Sequence, residues 1–546
     1  MIRNPILPGF HPDPSICRVD GDYYIATSTF EWWPGVRIHH SRDLVHWQHH
    51  SYAVTRASQL NLRGHPDSAG VWAPCLSHAH GLFWLIYTDV RSMFGAYKDT
   101  HNYLITAPSI DGPWSEPVFL NSSGFDPSLF HDDDGRSWLV NQQWIHHPAK
   151  HNFNGILLQE FDRNEGRLVG PVTNIFRGTA LGVVEGPHLY KKDGWYYLLT
   201  AEGGTTFEHA ATVARSRAID GPYEVMPGNP LLTALGSPQG TLQRAGHASW
   251  VETPQGEWYM AHLCGRPIEW NHPGQDVSAL PASYDVHCVL GRETAIQRIE
   301  WTADGWPRLS GGGRFPQREV APPQGHESHP FQVEPTRDDF DARELGPHWN
   351  TLRLPHDKGW LSLSERPGHL RLRGRESLMS LFEQSLVARR QQHLRCSATT
   401  QLDFAPRNFH QMAGLVAYYS TRSHAYVHVT AHEDTGARVL RLLVVRSGVP
   451  TEPVPPLPLS ATGVVELGVD FDVDRFQFRV RTDGDWQAFG PSLSADFLSD
   501  EFACQQTDGF FHSFGFTGNF IGLACQDLAG TRCVADFDSF DYAERA

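Results

Sequence analysis

The sequence predicts an all-β chain, a five-bladed β-propeller followed by a β-sandwich. Three observations carry this. A turn–Gly–aromatic-strand pattern recurs five times before residue 305, long helical periodicity is absent, and from about residue 336 alternating strands continue without the repeat.

The five copies are Asp20-Gly21-Asp22-Tyr23-Tyr24-Ile25, His80-Gly81-Leu82-Phe83-Trp84-Leu85, Asp134-Gly135-Arg136-Ser137-Trp138-Leu139, Asp193-Gly194-Trp195-Tyr196-Tyr197-Leu198 and Gln255-Gly256-Glu257-Trp258-Tyr259-Met260. Their glycines lie 60, 54, 59 and 62 residues apart, a blade-length period. A short apolar strand precedes each turn, as in Pro14-Ser15-Ile16 and Pro127-Ser128-Leu129. Ile110-Asp111-Gly112-Pro113-Trp114 and Ile219-Asp220-Gly221-Pro222-Tyr223 read as turns leading to outer strands. The propeller is assigned residues 1–308. Residues 309–335, rich in Gly, Pro, Gln and His, read as a linker. Residues 336–546 carry period-two strands such as Leu370-Arg371-Leu372-Arg373 and Phe476-Gln477-Phe478-Arg479-Val480, the pattern of a sandwich.

Composition narrows the function. Of 546 residues, 61 are acidic and 45 are Lys or Arg, a net charge of −16 that argues against nucleic acid as a partner, because phosphate needs clustered cations. No stretch of 18 apolar residues predicts a membrane span, and Met1-Ile2-Arg3-Asn4-Pro5 lacks the pattern of a signal peptide. Eight scattered cysteines without a CxxC pair fit reduced thiols, so the expected location is cytoplasmic. No P-loop, GxGxxG after a strand, GxSxG elbow or HExxH is present.

Eight or nine residues before each repeat glycine stand Asp13, Ala73, Asp126, Glu185 and His247. Equivalent blade positions face the same way, so the repeat gathers three carboxylates and a histidine around one axis. Each Asp alone reads as a turn residue beside proline. Three acids together, partly desolvated and mutually repulsive, cost stability and point to function. Carboxylates converging among aromatics fit glycoside hydrolysis, with one acid protonating the leaving oxygen, one base activating water or attacking directly, and a third tuning the acid. His247 reads either as a holder of water or an ion on the axis or as a core histidine.

The chain resembles the β-xylosidases of glycoside hydrolase family 43. The resemblance is carried by Asn4 to Ser15 (NPILPGFHPDPS), Tyr23 to Trp32 (YYIATSTFEW), Val71-Trp72-Ala73-Pro74, Glu185-Gly186-Pro187-His188-Leu189-Tyr190, Thr200 to Thr206 (TAEGGTT) and Leu290-Gly291-Arg292-Glu293-Thr294. It implies a five-bladed propeller with a concanavalin-like sandwich, no required cofactor, and an inverting exo-β-1,4-xylosidase that releases xylose from the non-reducing end of xylooligosaccharides. Arabinofuranosidase activity is the nearest alternative, and a non-catalytic carbohydrate-binding propeller a more distant one. It implies Asp13 as general base, Glu185 as general acid and Asp126 as modulator and orienter of Glu185. Phe30, Trp72, Trp144, Thr205, His247 and Arg292 are implied as substrate-binding residues. Phe516 is implied as an aromatic lid from the sandwich, with Phe520 a competing choice. An inverting enzyme keeps its working carboxyls roughly 6.5–9.5 Å apart. Relatives imply a homo-oligomer, dimer or tetramer. Cys75 and the Asn141-Gln142-Gln143 segment depart from the family pattern. Asp339 and Asp538, in acidic segments, offer oxygen ligands for a structural Ca²⁺, with plain surface turns as the alternative.

Overall fold

The computed structural model describes residues 1–237, 242–268, 286–325, 327–507, 510–513 and 515–545. Five antiparallel sheets, each built on four strands that follow one another in the chain except where the first blade is interrupted by Trp32–Trp33, use up the first three hundred residues. Their innermost strands are Ser15–Val19, Gly70–Ala79, Ser128–His131, Glu185–Lys192 and Gln243–Glu252. These five pack side by side in a closed ring, the first against the last, which makes the five-bladed propeller of the sequence reading.

The repeat glycines hold the first turn of each blade. Gly81, Gly135, Gly194 and Gly256 have φ between 72° and 90°, a region that costs glycine nothing. In the first blade the left-handed residue is instead Asp20, φ 54°. The ring is tied shut by the N-terminal segment. Asn4 bonds Ile296 in both directions at 2.7 and 2.8 Å, and the His11 amide donates to the Arg292 carbonyl at 2.9 Å. Ile2–Arg3 pairs with Glu319–Val320, so the stretch read as a linker includes a strand, while its residue 326 lies outside the described residues.

Beyond the propeller, two nine-stranded antiparallel sheets face each other across a core that includes Leu402, Leu415, Phe471 and Phe537. One of them is buried on both faces. Along Ser385–Arg390, Gln411–Ser420 and Phe520–Asp527, residues alternate: Val387, Leu415 and Ile521 point into the sandwich, whereas Leu386, Val416 and Phe520 point at the propeller. There they meet Phe10, Phe30, Trp32, Trp72 and Phe125. Trp32–Trp33, inside the first repeat, leaves its blade and pairs with Asn350–Leu352 as the edge of this sheet. Trp32 is fully buried and stacks on Phe520 with ring centroids 3.6 Å apart. A wholly buried aromatic contributes about 3 kcal/mol, so this one strand secures the two parts to each other.

Candidate active site

The start of each inner strand is bent into the left-handed region. Asp13, Ala73, Asp126 and His247 have φ of 54°, 37°, 52° and 43°. A non-glycine residue there costs about 1–3 kcal/mol, a strain that clusters at functional sites. In the fourth repeat the left-handed residue is Gly186, φ 55°, so Glu185 enters one position earlier than the matching of repeats predicts. The reason is steric. A Cβ on Gly186 would lie 3.0 Å from the His247 ring, so glycine takes the crowded place and the carboxylate moves to its neighbour.

Asp13, Asp126, Glu185, His247, Phe30, Trp72, Thr205, Arg292 and Phe516 line one pocket, with Phe125 as a tenth wall; its empty volume, mouth included, is about 350 Å³. Nine of the ten predicted site residues thus come together. Trp144 is not among the lining residues. Its ring stands behind Phe125, centroids 5.9 Å apart, and its indole N–H donates to the Ala96 carbonyl at 2.9 Å.

The three carboxylates sit in different surroundings. Asp13 is 5% exposed. Its Oδ2 accepts from Ser28 Oγ at 2.6 Å and its Oδ1 from Arg292 Nη1 at 3.2 Å, with His247 Nδ1 3.6 Å away. Burial alone would raise its pKa, but Arg292, His247 and Ser28 outweigh it and hold Asp13 below the ordinary aspartate range. Glu185 lies among apolar walls. Burial, then the Asp13 charge, push it up to about 8, against the pull of Arg292 and Lys98. Asp126 is also pushed up, by burial first and then by Glu185 and Asp13, although the Gly186 amide donates to its Oδ2 at 3.1 Å. The pocket therefore holds one ionised carboxylate facing two that favour the protonated form near neutral pH.

Arg292 joins the polar and aromatic parts. Besides Asp13 it donates to Thr205 Oγ1 at 3.1 Å and to the Phe516 carbonyl at 3.2 Å, and its guanidinium lies 5.3 and 5.0 Å from the ring centres of Phe30 and Phe516. Phe30, Trp72 and Phe516 form a triangle with centroids 5.5 to 6.0 Å apart. Phe520 belongs to the interior strand against Trp32, so Phe516 is the sandwich residue at the pocket.

Several residues that sequence reasoning missed hold this geometry. Ser28 bridges Asp13 and the Ala73 amide, which donates to its Oγ at 2.7 Å. The Ser68 carbonyl accepts the Trp72 indole N–H at 3.0 Å, and its Oγ accepts the Phe516 amide at 3.1 Å. Lys98 lies over Trp144, 4.7 Å from its ring centre, and burial pushes its pKa down to about 8. Arg244 donates to the Thr205 carbonyl at 3.1 and 2.9 Å and pairs with Asp500 and Glu501 of the sandwich at 3.0 Å each. Ser28 lies within the YYIATSTFEW segment, whereas Ser68, Lys98 and Arg244 belong to none of the segments that carry the resemblance, and only the folded chain brings them to the site.

The departures from the family pattern lie outside the pocket. Cys75 is buried 4.0 Å from His188 Nδ1, and Gln143 Oε1 accepts from Asn154 and Asn174 at 2.7 and 2.9 Å. Asp339 pairs with Arg337 at 2.6 Å and Asp538 faces His369 at 3.7 Å, so the two acids go to separate cationic partners. Among the described residues no three His, Cys, Asp or Glu side chains gather as metal ligands. Nor, among the described residues, is any helix long and apolar enough to cross a membrane.

The arrangement can move protons at a bond held between Asp13 and Glu185, with aromatic faces suited to an apolar sugar face. Known proteins agree with that chemistry. The chain is 49% identical to a xylosidase/arabinosidase from Humicola insolens, over 99% of this chain and 97% of that one. It is 47% identical to a β-xylosidase of Bacillus subtilis over the whole of both chains. A crystal structure of xylan β-1,4-xylosidase from Bacillus halodurans superposes with a TM-score of 0.94 at 54% identity, covering 100% of each chain. The model described as Beta xylosidase C-terminal Concanavalin A-like domain matches residues 337–543. Since the model described as Glycosyl hydrolases family 43 matches residues 2–307, across all five blades and every propeller residue of the pocket, the chain belongs to glycoside hydrolase family 43.

Proposed function

We propose that this protein is an exo-acting β-1,4-xylosidase that removes xylose from the non-reducing end of xylooligosaccharides in a single displacement with inversion. The observation that carries the reading is the opposite settings of Asp13 and Glu185 inside one pocket, which favour the ionised form of the first and the protonated form of the second. Ionised Asp13 takes a proton from water as the water attacks the anomeric carbon. Protonated Glu185 gives its proton to the departing glycosidic oxygen. Asp126, whose Oδ2 accepts the amide of Gly186 next to Glu185, has the role of modulator and orienter of that acid in this reading. Arg292 and Thr205 bind sugar hydroxyls, and Phe30, Trp72 and Phe516 pack on the ring. Both proton movements are assigned to side chains of the chain, and the proposal invokes no cofactor.

The small pocket, closed from the sandwich by Phe516, supports action on chain ends rather than within a polymer. Relatives named as xylosidases support xylose over other sugars, and the xylosidase/arabinosidase relative supports α-L-arabinofuranosidase as a side activity. A homo-oligomer, dimer or tetramer with the sandwich as interface, belongs to the same reading. So does a cytoplasmic location, which fits eight free cysteines, two of them with sulfurs 3.8 Å apart and unbonded. The deciding experiment is hydrolysis of xylobiose followed by NMR of the first-formed anomer. α-Xylose from the non-reducing end is expected; β-xylose as the initial product overturns the inverting mechanism.

A further inference from the structure

Two arginines are buried at the junction of the first blade and the sandwich without an acidic partner. Arg37 is 6% exposed and Arg390 4%. Neither guanidinium forms an ion pair with a carboxylate among the described residues, although acids outnumber Lys and Arg 61 to 45 in the chain. Both turn to the same neutral groups. Arg37 Nη1 donates to the Tyr52 hydroxyl at 3.0 Å. Arg390 Nη1 donates to Asn350 Oδ1 at 2.5 Å, and Asn350 Nδ2 donates to that same hydroxyl at 3.0 Å. An unpaired buried cation costs several kcal/mol, so two joined through one asparagine and one hydroxyl demand a counter-charge.

Several buried nitrogens nearby are unused. Arg37 Nε, Arg390 Nη2, His11 Nδ1, His39 Nδ1 and His49 Nε2 are all buried and lack a hydrogen-bond partner among the described residues. The rings are neighbours. His11 and His39 lie 4.6 Å apart, His39 and His49 6.2 Å, and His49 and Tyr52 4.7 Å. Burial and the adjoining cations keep all three histidines neutral, and since the His39 ring already uses its one N–H on the Ile25 backbone, His11 and His49 are the two with an N–H to present. The same two effects push Arg390 down to about 9.

We propose that this cluster is a binding site for a small inorganic anion, chloride in the cell, held between the Arg37 and Arg390 guanidiniums with histidine N–H groups completing its shell. The anion would neutralise the junction and steady the catalytic-base segment, because Arg390 Nε also donates to the Phe10 carbonyl at 2.8 Å, three residues before Asp13.

The test exchanges the whole protein into methanesulfonate and titrates chloride or bromide at constant ionic strength. The unfolding midpoint should rise saturably by a few degrees with either halide. Crystals grown with bromide should show an anomalous peak between the two guanidiniums. Arg37→Met should abolish the halide response and unfold at a higher temperature than the parent in methanesulfonate, since it deletes an unpaired buried cation. Should Arg37→Met fail to fold, the bromide peak and the parent titration decide alone. A flat halide titration with no bromide at the site overturns the proposal. So does stabilisation by sulfate but not halide, or a tyrosinate absorbance near neutral pH that disappears in Tyr52→Phe, which would make Tyr52 the counter-charge.

Discussion

The two sides of the pocket use the same functional group in opposite ways. On the Asp13 side every contact is polar: a serine hydroxyl, a guanidinium, an imidazole. Glu185 has no such hydrogen-bonded setting among the described residues: it shares the pocket with the rings of Trp72 and Phe125, and of the two cations that pull on it, Arg292 and Lys98, the second has itself lost part of its hold on a proton. A carboxyl in the first setting ionises early, and one in the second keeps its proton to about pH 8. Environment rather than residue type sets the two carboxyls apart, and in the proposed reaction this decides which gives a proton and which takes one. The Asp13 charge ties the sides together, since it is one of the forces raising both Glu185 and Asp126.

The harshest way to break this contrast is to delete its ionised half. Asp13→Ala removes the base and part of the repulsion that protonates Glu185. We expect kcat on every substrate to fall about 10³-fold or more, in steady-state assays on xylobiose and aryl xylosides alike. Substantial activity left on either substrate excludes Asp13 as the base. Deleting the protonated half is selective instead. Glu185→Ala should cost about 10²–10⁴-fold on xylobiose, whose leaving group needs a proton, and far less on aryl xylosides with acidic phenols. Equal losses on both classes would remove Glu185 from the acid role.

A gentler test moves one side toward the other. Arg292→Met withdraws the main cation from Asp13, so its pKa rises and the acidic limb of the kcat/KM profile moves to higher pH. The basic limb, set by a group near 8, should shift upward as well, because Arg292 also lowers Glu185. Each limb should move by about one unit, read in a pH–rate profile. An unmoved acidic limb would mean that Ser28 and His247 suffice to keep Asp13 ionised.

The legibility of these features follows from the range of the forces behind them. Blade turns need a positive φ, so glycines mark them locally, and the five-fold repeat was readable in the sequence. So were Asp13 and Asp126, each at the bend before a proline. Glu185 was found too, although the left-handed bend of its blade falls on the next residue, Gly186, where a side chain would crowd His247, sixty-one residues on. Trp32–Trp33 carries no mark of its partner Asn350–Leu352, and nothing around Ser68 or Lys98 records the aromatics they hold. Long-range partners leave no trace in local pattern, and the family resemblance supplied Phe516 where local pattern did not.

The smallest expected effect probes how the lid joins the pocket. Ser68 Oγ accepts the Phe516 amide, while the Trp72 indole uses the Ser68 carbonyl, so Ser68→Ala removes the acceptor from the lid and leaves the wall attached. A single neutral hydrogen bond contributes about 1 kcal/mol. KM for xylobiose should rise about five-fold, with kcat and both pH limbs unchanged, because the carboxylates keep their surroundings. Phe516→Ala, which removes the ring itself, should raise KM further and show no added effect of Ser68→Ala in the double variant. A drop in kcat for Ser68→Ala would show instead that Trp72 moves with the lid, and that the apolar wall around Glu185, hence its proton, depends on the sandwich being seated.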